Sequence, residues 1–111
     1  MEERQVYPMK MFQEKHSSPL PTPRGIRRAC SNELYRTVKR LKQHVPAPLV
    51  REAEELYFKR VIGNLMWISE NKSNRKKLAD WWEEEVSGDI AELWNVDRTK
   101  LTKAFREAFG G

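Results

Sequence analysis

Glu83-Glu84-Glu85 is a run of three carboxylates, the residue type that serves general acid–base chemistry and holds divalent metals. On a helix, consecutive side chains project about 100° apart, so three adjacent carboxylates do not converge on one ion or one substrate. A solvated helix face is the expected role. Cys30 is the only cysteine, so no disulfide forms within the chain. His16 and His44 are too far apart in sequence to suggest a zinc site. No nucleophile stands beside a base, and no glycine-rich phosphate loop or metal-ligand spacing is present. The sequence thus predicts a binding protein rather than an enzyme, with no catalytic residue and no metal. The chemistry that remains is charge: Arg36, Lys39, Arg40, Lys59 and Arg60 form a cationic set suited to an acidic partner, unless they are an ordinary solvated face.

Helices must position that set. Leu34, Val38, Leu41 and Val45 recur at helical spacing and predict a helix over 31–45, with Ser31 as its cap and Glu33 in its first turn. Pro46-Ala47-Pro48 ends it. A second helix is expected from Pro48 to about Ser69, with Gly63 tolerated inside it or marking a close approach. A third is expected over 74–86, capped by Ser73 or Asn74, with Leu78, Trp81, Trp82 and Val86 inward. Ser87-Gly88-Asp89 reads as a break, followed by short helices over 90–94 and 98–109. The fold class is all-α. Residues 1–30, punctuated by Pro8, Pro19, Pro21 and Pro23, read as an irregular tail, 31–86 as a three-helix bundle and 87–111 as a helical extension. Arg24, Arg27 and Arg28 are the tail's candidate contacts.

Leu34-Tyr35-Arg36, followed by Val38, Leu41, Pro46, Leu49 and Tyr57-Phe58-Lys59, resembles the LYR family of small mitochondrial helical proteins, nearest its succinate dehydrogenase assembly factor branch. Trp81 or Trp82 matches a later tryptophan of that pattern, and the resemblance spans about residues 33–86. It implies a mitochondrial matrix protein that docks an acylated acyl carrier protein. Its clients would be a respiratory complex, possibly succinate dehydrogenase, or another mitochondrial assembly. Leu34, Tyr35, Arg36, Lys39, Arg40, Lys59 and Arg60 would then meet the carrier. The acyl-chain groove would be lined by Val38, Leu41, Leu56, Val61, Leu65, Leu78 and Trp82, with Leu34 and Tyr35 beside them. No cofactor would be bound directly; the partner would bring 4′-phosphopantetheine and its acyl chain. The alternative for the same apolar residues is a plain packed core.

Composition sets bounds. A chain of 111 residues with 39% hydrophobic and 33% charged residues supports one small core under a charged surface. The net charge of +5 favours an acidic protein, a nucleic acid or an anionic membrane face. No apolar run reaches membrane-spanning length. Glu2, Glu3 and Glu14 interrupt what would otherwise be a basic presequence, and many LYR proteins lack an obvious one.

The C-terminal tract carries a rival reading. Ile90 to Leu101, then Phe105 and Gly110, resembles the helix-turn-helix of transcription regulators. Asn95 would take the left-handed conformation of the turn, Asp97 would cap the second helix, and Arg98, Thr99, Lys100 and Lys103 would face DNA. Trp94 is bulky for a tight packing position, and Glu107 dilutes the basic face. On sequence alone the acyl carrier is the favoured partner and nucleic acid the disfavoured one.

Overall fold

The computed structural model describes residues 20–111. The first helix, α1 (Pro23–Leu41), begins eight residues earlier than the sequence suggests. The Thr22 hydroxyl accepts the Gly25 N–H at 3.0 Å, and Pro23 fills the first turn, where its missing N–H costs nothing. Prolines read as loop punctuation therefore include a helix start. Ser31, expected as the cap, lies inside α1 and donates to Glu54 at 3.0 Å. Of the expected tail, 1–19 lie outside the described residues. Lys42 ends α1 in the left-handed region, with φ of 56°.

The expected second helix is two helices, α2 (Ala47–Gly63) and α3 (Leu65–Glu70). Asn64 breaks them apart, and its side-chain amide donates back to the Arg60 carbonyl at 2.9 Å. Gly63 has open space around it, so it marks a helix end rather than a close approach. The third expected helix is α4 (Arg75–Glu85), with the Asn74 side chain accepting the Lys77 N–H at 3.0 Å. Only Val86 separates it from α5 (Ser87–Trp94). Ser87-Gly88-Asp89, expected as a break, is the first turn of α5. Ser87 is fully buried there, and its hydroxyl donates to the Glu83 carbonyl at 2.5 Å. The last helix, α6 (Arg98–Phe109), has the predicted span, and Gly110 closes it with φ of 93°.

No strand occurs among the described residues, and the all-α class holds. The core corrects the expected division into a bundle and an extension. Helix α6 packs against α1 more extensively than any other pair of helices does, and α4, α5 and α6 touch one another pairwise. The Trp82 and Phe105 rings stack at 3.8 Å with planes 2° apart, and the Tyr57 ring meets both edge-on at 6.2 Å. Such contacts add about 0.5–1.5 kcal/mol each beyond area burial. Leu34, Leu101 and Ile90 are sealed in the same core. The tract from 87 onward thus supplies Ile90, Ala91, Trp94, Leu101, Phe105 and Phe109 to the same hydrophobic centre.

Candidate functional site

The expected cationic rim does not assemble. Arg27 pairs with Glu55 at 2.6 Å and Ser31 with Glu54, so α1 and α2 run antiparallel. That register sets Lys59 and Arg60 beside the first turns of α1. At 1.5 Å per residue, Arg40 lies about 20 Å further along. Arg60 bridges instead to α5, meeting Asp89 at 2.5 Å and the Glu85 carbonyl. Lys59 shares a shallow depression with Glu52, Glu55, Asp89 and Glu92. Arg27, expected as a tail contact, is held by Glu55 and lies 3.8 Å over the Phe58 ring.

The tripeptide itself splits. Leu34 is wholly buried, whereas Tyr35 is 60% exposed with the Lys39 ammonium 4.9 Å over its ring. Arg36 and Arg40 are exposed, and neither they nor Lys39 meet a carboxylate among the described residues. Arg27 and Ser31 mark one flank of α1 as the α2 side. At about 100° per residue, Arg36 and Arg40 fall on the other flank, the side left to α6.

The expected acyl groove also disperses. Only Val61, Leu65 and Leu78 share one cavity, of about 230 Å³. Trp82 and Leu34 belong to the sealed core, and Val38 and Leu41 pack half-buried against it. Leu56 lines the depression beside Lys59, and Tyr35 points to solvent. The cavity lies between the first half of α1 and parts of α2, α3, α4 and α6. Its walls are largely apolar, but they include Glu33, Tyr57, Lys72 and Arg75.

Glu33 and Tyr57 are the polar centre that sequence reasoning missed. The Tyr57 hydroxyl donates to Glu33 Oε1 at 2.5 Å. Burial pushes the Glu33 carboxyl above its usual range, against the opposing effects of that hydrogen bond and of Arg75 and Arg36. Burial, with Glu33 adding to it, also pushes the Tyr57 phenol well up. The buried Cys30 thiol is raised to about 12, chiefly by burial and next by the Glu33 charge. Ile26, Cys30, Glu33 and Thr37 recur at helical spacing, a signal that becomes visible only when α1 is started at Pro23.

The turn between α5 and α6 has the geometry the sequence suggests. Asn95 is left-handed, with φ of 54° and ψ of 51°. Asp97 Oδ2 accepts the Lys100 N–H at 2.9 Å. Trp94 fits because its indole N–H reaches across to the Leu49 carbonyl at 3.0 Å. Two of the α6 cations turn inward onto α4. Arg98 donates to the Ser87 hydroxyl at 2.9 Å and the Glu83 carbonyl at 2.7 Å. Arg106 pairs with Asp80 at 2.6 Å and Glu83 at 2.8 Å. Thr99, Lys100 and Lys103 remain exposed, and neither lysine meets a carboxylate among the described residues.

Phe109, at the end of α6, shares the cavity wall with Ile26 and Cys30 of early α1. Since α6 packs along α1, it runs antiparallel to it, and the start of α6 lies level with the end of α1. Arg36 and Arg40 on the α6 flank, together with Lys100, therefore fall at one end of the molecule. No family model, curated protein or solved structure matches the chain. No helix among the described residues is long and apolar enough to cross a membrane.

Proposed function

We propose that the protein binds double-stranded DNA through a helix-turn-helix made by α4, α5 and α6, with the end of α1 adding phosphate contacts. The observation that carries this reading is the turn: a left-handed Asn95, then the Asp97 cap, then α6 with Thr99, Lys100 and Lys103 exposed at its start. In a helix-turn-helix, the N-terminal residues of the second helix meet base edges in the major groove. Arg98 and Arg106 hold α4 onto α6 here, so Thr99, Lys100 and Lys103 are the residues assigned to DNA. Arg36 and Arg40 supply cations on the α1 side, where phosphate contacts fix register without reading sequence. A titration of fluorescent duplex by anisotropy tests the reading. Lys100→Ala with Lys103→Ala should weaken binding at least tenfold while far-ultraviolet circular dichroism stays helical. Equal affinity of this double variant and the unaltered protein would contradict it.

A second reading is favoured by Tyr35, exposed under Lys39 and flanked by Arg36 and Arg40. Under the LYR resemblance this patch docks the acidic face of an acyl carrier protein in the mitochondrial matrix. The carrier's acyl chain would enter beside Val61, Leu65 and Leu78. Arg36→Glu with Arg40→Glu should then abolish co-purification of acylated carrier, because charge reversal repels an acidic partner. Under this reading Lys100→Ala with Lys103→Ala leaves the carrier bound.

A further inference from the structure

We infer that the cavity between α1, α2, α3, α4 and α6 is a binding site for a small aromatic acid that carries one hydroxyl or N–H donor. Its volume of about 230 Å³ falls below the range that takes drug-sized molecules, which sets the ligand near one or two rings. Ile26, Val61, Leu65, Leu78 and Phe109 supply apolar walls from five different helices or helix ends.

The polar groups select the rest of the ligand. Glu33 Oε1 is taken by the Tyr57 hydroxyl, whereas Oε2 has no donor among the described residues. Oε2 is not one of the polar atoms sealed away without a partner, and Glu33 is part of the cavity lining. A carboxyl partly stripped of water gains from a donor that replaces that water. The Tyr57 phenol cannot serve both oxygens, and the raised thiol of Cys30 is a weak donor. Two cations complete the lining. Arg75 lies 3.9 Å over the Phe109 ring, and Lys72 meets no carboxylate among the described residues. A ligand carboxylate suits that pair, and a ligand donor suits Glu33. A long unbranched apolar chain would leave both unanswered.

Ligand binding in this cavity is separate from what the exposed face of α6 binds, and it is measured without DNA or carrier. Isothermal titration of the full chain with 4-hydroxybenzoate is compared with benzoate, which lacks the donor, and with phenol, which lacks the carboxylate. We expect 4-hydroxybenzoate to bind about tenfold or more tightly than either, since each probe forfeits one charge-assisted contact. Lys72→Ala, an exposed substitution that keeps the fold, should weaken 4-hydroxybenzoate and benzoate and leave phenol unchanged. Leu65→Trp should fill the cavity and remove binding of all three. No heat from any of the three, equal affinities, or a Lys72→Ala variant that binds all of them like the unaltered protein would overturn the inference.

Discussion

Glu33 places an ionisable carboxyl where water is scarce, and its consequences have a definite sign. Burial raises its folded-state pKa above the ordinary glutamate value of about 4.3. Between the unfolded and folded values the native state then holds more proton than the unfolded chain. Stability contributed by protonated Glu33 is fully present below the unfolded value and is lost as pH rises through the folded one. Thermal melts from about pH 4 to about pH 8 should show the unaltered protein losing stability relative to Glu33→Gln as pH rises. Parallel curves for the two proteins would contradict this. Cys30 offers a second check at the same scale. With its thiol raised to about 12 and its side chain buried, thiolate at neutral pH is scarce. A thiol reagent should label it only as the protein unfolds; rapid labelling of the native state would be inconsistent with the buried site.

The helices show which signals carry local structure. The α5–α6 pair was legible because its punctuation is chemical: an asparagine that tolerates the left-handed region, an aspartate cap, a terminal glycine. The start of α1 was not, because Thr22-Pro23 is both a loop signal and a helix-start signal. Only tertiary burial of Ile26 and Cys30 decides between them. The end of α2 was missed because the apolar run continues into α3, while the break depends on the Asn64 side chain bonding the Arg60 carbonyl. The pattern also could not tell a groove from a core, since Trp82 and Leu78 share a helix face yet only Leu78 meets the cavity. At the α6 cap, Asp97→Ala removes the acceptor of the Lys100 N–H and should cost about 1 kcal/mol. Asn95→Gly, at a left-handed position, should cost no stability. Denaturant titration of both variants checks the pair, and a larger loss for Asn95→Gly than for Asp97→Ala would mean the turn is held by something other than backbone freedom.

At the scale of the whole molecule, charge is sorted by the packing. Near the start of α1 and along α2, Arg27 is held by Glu55 and Arg60 by Asp89, while Arg24, Arg28, Arg51 and Lys59 meet no carboxylate among the described residues. Arg36, Lys39 and Arg40 at the end of α1, and Lys100 and Lys103 in the first turns of α6, also meet no carboxylate among the described residues, and the antiparallel run of the two helices brings them to one end. The sequence shows every one of these charges but not which are paired, because pairing depends on the α1–α2 and α2–α5 contacts that no local pattern encodes. The most direct test of the DNA-binding face is the salt dependence of duplex affinity. Each phosphate contact removed should lower the slope of log affinity against log salt by about 0.9. We predict that Arg36→Ala with Arg40→Ala, and separately Lys100→Ala with Lys103→Ala, each reduce the slope by up to about two, with the fold intact. An unchanged slope in both variants, or the absence of duplex binding by the unaltered protein at low salt, would contradict the DNA-binding face.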